Sequence, residues 1–213
     1  LLKMNSEKIV FFGADGGCLD ALFLALECYK KSFNNCIVLS DSKVSIPDGC
    51  VHLGGFEKID NNMLNKAYFV YQCGNVKNHN TRRIWFDKAC QVGLKPLSCV
   101  SKHAYIHPTA AIGKGVLIYP GVKIMRNVKI GDNVIILPNT IVSHGAEIGS
   151  YTMLNNGVII NGDVKIGSSS FIGAGAQIRE GVRVGSGITI GMGSLILKSI
   201  QNPGIYYGRP PNA

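Results

Sequence analysis

From Ile106 to Ile196 an aliphatic residue recurs at every sixth position: thirteen Ile, together with Val142, Val184 and Leu154, fill all sixteen places. A period of six matches neither the 3.6-residue turn of a helix nor the two-residue alternation of a strand. It is the signature of a parallel β-helix in which each hexad forms one short side of a triangular coil, so that eighteen residues close one turn. The fourth residue after each aliphatic is small or β-branched (Ala110, Val116, Thr140, Ala146, Thr152, Val158), as a narrow corner requires. Gly and Asn between the hexads, as in Ile130-Gly-Asp-Asn-Val134, supply corner residues that tolerate unusual backbone angles.

The first half carries a different pattern. Lys8 to Phe12 reads as a buried strand, Gly13 to Gly17 as a tight turn, and Cys18 to Lys31 as a helix with apolar residues at helical spacing. Cys36 to Asp41 and Ala67 to Tyr71 read as two more strands, and Thr81 to Val92 as a helix bearing Arg82, Arg83 and Trp85. Strand, glycine loop and helix in this order predict a small Rossmann-like α/β unit with a mainly parallel sheet. The expected division is residues 1–103 for the α/β domain, 104–198 for the β-helix and 199–213 for an extended, proline-containing tail that caps the open end of the coil.

Composition narrows the possibilities. The seven cysteines all precede the repeat and show no CxxC or Cys/His ligand spacing, which predicts reduced thiols, no metal and a cytoplasmic protein. No segment reads as a signal peptide, and no apolar run is long enough to span a bilayer, so no membrane insertion is expected. The net charge of +9 is spread over both halves rather than gathered in a tail. With no basic helix, finger pattern or stacking aromatics beside it, this charge points to small phosphorylated ligands rather than nucleic acid.

Within the repeat, His144 falls at a turn position of its hexad, Val142-Ser-His-Gly-Ala-Glu147. An outward imidazole there reads as a general base, or simply as an exposed turn histidine. Gly162 follows eighteen residues later, so coil stacking places its backbone beside His144, where its amide reads as an oxyanion donor or as a plain corner glycine. Gly13 to Gly17 could cradle a phosphate at a helix N-terminus, and Ser40-Asp41 closes a strand where an acidic residue meets a ribose in dinucleotide folds. Each of these also has an ordinary reading as turn chemistry.

Taken together, Ile141-Val-Ser-His-Gly-Ala-Glu-Ile-Gly149, Gly162-Asp-Val-Lys-Ile-Gly167 and the glycine-loop domain resemble the left-handed β-helix sugar acyltransferases of the sialic-acid O-acetyltransferase and bacillosamine/perosamine N-acetyltransferase group. The resemblance implies a left-handed coil and a homotrimer with acetyl-CoA between adjacent β-helices. It implies His144 as catalytic base and the Gly162 amide at the thioester carbonyl, with Met153, Ala174 and Met192 lining the coenzyme groove. It also implies a sugar-nucleotide pocket at Asp15, Gly16, Gly17, Ser40, Asp41 and Gly74. The chain departs from the family at three places: Gly145 stands where a Glu or Asp follows the base, Met153 where a second His is common, and Gly17 where the loop often carries His or Lys. Glu147 is a substitute for the missing carboxylate if it faces the same way as His144.

The function expected from these residues and this resemblance is an acetyl-CoA-dependent acyltransferase. It would acetylate the amino group of a nucleotide-linked amino sugar for bacterial surface glycans. O-acetylation of a sialic acid and a non-catalytic scaffold are the alternatives. A zinc-dependent carbonic anhydrase is disfavoured, because only His144 lies deep in the repeat.

Overall fold

In a computed structural model of the chain, residues 8–13, 16–30, 32–40, 45–55, 67–72 and 79–208 are described. They fall into two compact units, Leu1–Cys99 and Val100–Ala213. The first contains β1 (Ile9–Phe12), α1 (Gly16–Tyr29), β2 (Cys36–Leu39), β3 (Val51–Gly54), β4 (Tyr68–Tyr71), α2 (His79–Gln91) and β5 (Lys95–Pro96). The five strands form one parallel sheet in the order β3-β2-β1-β4-β5. β1 and β2 are fully buried aliphatic and aromatic runs, as expected of central parallel strands. The edge strand β3, Val51-His-Leu-Gly, has no expectation from the sequence because it is short, half exposed and ends in glycine. Phe12 packs edge-on against Phe69 and Tyr71, and Phe69 against Phe86, tying β1, β4 and α2 into one core.

The strand order reverses between β1 and β4, and every strand points the same way. The carboxyl ends of β1, β2 and β4 therefore share one edge of the sheet, the edge at which open α/β sheets bind their ligands. Gly13 adopts φ +86° as the chain leaves β1, and its N–H donates to Leu39 O at 2.8 Å. The single S–H of Cys18 is shared between Gly13 O at 2.8 Å and Phe12 O at 3.2 Å, tying the start of α1 to the end of β1. Burial pushes the Cys36 thiol up to about 12, with the neighbouring Cys50 adding to the shift; it is a protonated packing group rather than a nucleophile.

In the second unit, strands β6 to β22, from Cys99–Val100 to Leu195–Ile196, are almost all two residues long. They form three parallel walls whose neighbours are eighteen residues apart, for example Lys123↔Ile141 and Ile141↔Ile159. The hexad aliphatics point inward and fill one column. Ile118, Ile136, Val142, Leu154, Ile160 and Ile178 are wholly buried, while Ile106 and Ile112 at the first coil are only partly covered. The buried corner hydroxyls of Thr140, Thr152 and Ser170 donate to Asn155 O, Gly167 O and Gly185 O at 2.7, 3.0 and 3.2 Å. A hydroxyl is thus tolerated inside the column because it caps a corner carbonyl. Corners turn through left-handed residues, most of them Gly or Asn, although Tyr151 (φ 63°) and Ser169 (φ 55°) hold two of these places.

The tail continues the coil. β23 (Gly204–Tyr206) pairs in parallel with β21 (Ile188–Ile190), so the last rung of one wall has its edge groups satisfied. Because the column is close-packed, Leu154→Ala is expected to destabilise the chain by about 2–5 kcal/mol, measured by chemical denaturation.

Candidate active site

His144 and Gly145 form the corner between β13 (Ile141–Val142) and β14 (Glu147–Ile148). Val142 and Ala146 on either side are wholly buried, so the corner itself is what this hexad offers to solvent, and His144 is half-buried there. Gly145 turns the chain at φ +68°, a conformation that glycine adopts without strain. One coil on, Asp163 N–H donates to His144 O at 2.9 Å, which fixes the register between the two corners.

That register lays the imidazole against Gly162. A Cβ built on Gly162 would stand 2.5 Å from Cε1, 2.8 Å from Nε2 and 3.1 Å from Nδ1 of His144. Only glycine leaves this space. Gly162 O accepts from Gly181 N–H at 2.9 Å, whereas the Gly162 N–H has no hydrogen-bond partner among the described residues. A half-exposed imidazole and an unpaired amide on adjacent rungs can together accept a proton and stabilise a developing negative oxygen.

Gly145 stands next to a carboxylate that the spacing argument did not single out. Asp163 Oδ1 crowds the position a Cβ of residue 145 would take, so the side-chain space at 145 is closed off from the following coil. The signal was present in the sequence as an offset of eighteen. Glu147, by contrast, pairs with Lys165 at 3.2 Å and Lys129 at 3.4 Å on the outer face of the neighbouring wall. The hydrogen bond from Lys165, followed by that from Lys129, holds its carboxyl below the ordinary value. Its lysine partners thus account for this carboxylate without His144. Glu147→Gln is expected to change turnover by less than about twofold and stability by less than about 1 kcal/mol, because both ion pairs are exposed; steady-state kinetics and thermal unfolding check this.

The other expected coenzyme contacts lie elsewhere on the protomer. Ala174 and Met192 occupy successive turns of a second corner, joined by Gly193 N–H to Ala174 O at 2.8 Å, and Met192 is 81% exposed. Met153 sits on a different wall, in register with Ile135 and Phe171 and nearly buried. In the first unit, Gly16 and Gly17 open α1. Ser40 N–H donates to Gly54 O at 2.8 Å, and Ser40 O lies 3.0 Å from His52 Nε2. Asp15, Asp41 and Gly74 lie outside the described residues. Among the described residues no three His, Cys, Asp or Glu side chains converge as a metal site, and no helix is long and apolar enough to cross a membrane.

Comparison with known proteins adds to this geometry. Residues 127–162 and 163–198 match the family described as bacterial transferase hexapeptide (six repeats). No curated protein matches the chain by sequence. Among solved structures, the acetyltransferase domain of PglB from Neisseria gonorrhoeae FA1090 is similar at 24% identity and TM-score 0.83, over 96% of this chain and 97% of that one. PerB from Caulobacter crescentus, in complex with CoA and GDP-perosamine, is similar at 22% identity and TM-score 0.83, over 94% of each chain. WeeI from Acinetobacter baumannii AYE aligns at 22% identity and TM-score 0.83, over 95% of this chain and 97% of that one. Residues 127–198 thus match the bacterial transferase hexapeptide model, and the α/β unit and the β-helix each have the fold seen in these solved structures.

Proposed function

We propose that the chain is an acetyl-CoA-dependent acyltransferase that acetylates the amino group of a nucleotide-linked amino sugar. The observation that carries this reading is the His144 ring resting on the bare backbone of Gly162, beside an amide with no other partner. The fold shared with an acetyltransferase domain solved in complex with acetyl coenzyme A, and with PerB bound to CoA and GDP-perosamine, supports both substrates. So does the shared sheet edge formed by the carboxyl ends of β1, β2 and β4, beside which Ser40 and the start of α1 at Gly16 and Gly17 lie; the reading assigns Asp15, Asp41 and Gly74 to the same pocket.

In this mechanism His144 takes a proton from the acceptor amine as its nitrogen bonds to the thioester carbonyl carbon. The Gly162 N–H donates to the carbonyl oxygen as charge builds there. When the carbon–sulfur bond breaks, the proton held by His144 passes to the departing thiolate, and amide and coenzyme A leave with atoms and charge balanced. No acyl-enzyme forms.

His144 and Gly162 occupy one corner, Ala174 and Met192 another, with a whole wall between them. We place a coenzyme touching both pairs at a seam between two copies of the chain, and a closed ring of three supplies three such seams. The reading thus includes a homotrimer, a cytoplasmic location and a role in surface glycan synthesis. Incubation with acetyl-CoA and a panel of sugar nucleotides, with free thiol monitored, tests it. No thiol release above hydrolysis on any amino sugar nucleotide, despite coenzyme A binding, would favour a binding protein instead.

A further inference from the structure

We propose that Arg126 forms an anion-reading subsite at the acceptor end of this corner, holding a phosphate or carboxylate that the acceptor carries. The inference rests on the acyltransferase reading and deepens it. Three hydrogen bonds define the column: Gly145 N–H to Arg126 O at 3.0 Å, Asp163 N–H to His144 O at 2.9 Å, and Gly181 N–H to Gly162 O at 2.9 Å. Arg126, His144 and Gly162 are thus consecutive members of one ladder, with rungs about 4.8 Å apart. An arginine side chain is longer than one such step, so the guanidinium of Arg126 is able to reach the rung that His144 occupies.

Arg126 is exposed, and its guanidinium makes no ion pair or hydrogen bond among the described residues. Of the acids on neighbouring coils, Glu147 pairs with Lys129 and Lys165, and Asp163 lies against Gly145 without an ion pair to Arg126. Along the column Pro108 precedes Arg126, and Glu180 follows Gly162, so Arg126 is the one cation on a rung adjacent to His144. Unquenched charge beside a nucleophile-activating group is positioned for a ligand rather than for stability.

The direction of the column decides which ligand. The Gly162 amide and the proposed coenzyme contacts Ala174 and Met192 belong to coils after His144, whereas Arg126 belongs to the coil before it. The acceptor therefore enters on the Arg126 side of the base. A guanidinium presents a planar fork of N–H donors matched to the paired oxygens of a phosphate or carboxylate, and gains little from a neutral sugar. Nucleotide-linked sugars carry the first anion and acidic sugars the second, so the same arginine serves either, and kinetics separate them.

The test compares wild type, Arg126→Ala and Arg126→Lys on three acceptors: a nucleotide-linked amino sugar, the same amino sugar free of nucleotide, and a free sialic acid. Loss of a charged hydrogen-bond pair is expected to raise the acceptor KM about 10- to 100-fold in Arg126→Ala, with the KM for acetyl-CoA unmoved and partial recovery in Arg126→Lys. The acceptor whose KM shifts identifies phosphate or carboxylate as the anion, while the nucleotide-free amino sugar, which carries no anion, should respond equally poorly to all three proteins. Unchanged KM for both anionic acceptors, or an equal loss on the one without an anion, overturns the assignment of Arg126 alone. Absence of turnover in wild type with all three overturns the acyltransferase reading and this subsite with it.

Discussion

Gly162→Ala is expected to fold and bind coenzyme A yet lose turnover by about 100-fold or more. The added methyl would lie within 2.5–3.1 Å of three imidazole atoms, closer than real Cβ contacts allow. The corner backbone is held by hydrogen bonds to the coils on both sides, so the side chain yields and the ring swings away. Proton transfer that depends on a positioned imidazole typically contributes about 10²–10⁴-fold, and a displaced ring forfeits most of it. The methyl also crowds the amide proposed to hold the oxyanion, a donor whose loss elsewhere costs about 2.7–4 kcal/mol. Thermal unfolding beside steady-state kinetics separates the effects: near-native melting with collapsed kcat supports the ring-on-glycine geometry. Native kcat in Gly162→Ala would show that the contact has no catalytic meaning.

His144→Ala is expected to lower kcat by about 10²–10⁴-fold while leaving KM for acetyl-CoA within about twofold of wild type. The imidazole is half-buried on a turn and bonds through its backbone oxygen, which alanine keeps, so the fold should survive. Exogenous imidazole restoring part of the rate would show that the void at 144 is where the proton is taken. Full turnover on a confirmed acceptor would remove His144 from the mechanism. In the double variant with Gly162→Ala, the penalties should fall well short of additive, since both act through one ring.

The β-helix could be read from the chain because its period is set by a backbone constraint that no tertiary contact overrides. Each inward place must be filled once per side, and Ile118, Ile136 and Ile160 fill three of them. The pairing of His144 with Gly162 followed from the same arithmetic. What the spacing did not single out was the direction taken by side chains at the corners. Asp163 folding back over Gly145, and Glu147 bridging two lysines instead of meeting the base, depend on rotamers and on the residues one rung away. In the α/β unit, strong apolar runs announced β1, β2 and β4, while β3 had no such run because an edge strand needs none. The glycine loop reads as a turn or a phosphate cradle over Gly13 to Gly17, but α1 already begins at Gly16, because glycines at a helix start look like turn residues in sequence.

The eighteen-residue offset between wall neighbours also makes the molecule a ruler. Deleting one whole coil would rejoin every ladder in phase and shorten the column by a single rise of about 4.8 Å. Deleting one residue would instead turn every later inward side chain out of the column. The length of such a scaffold is therefore quantised: it can grow or shrink only by complete turns.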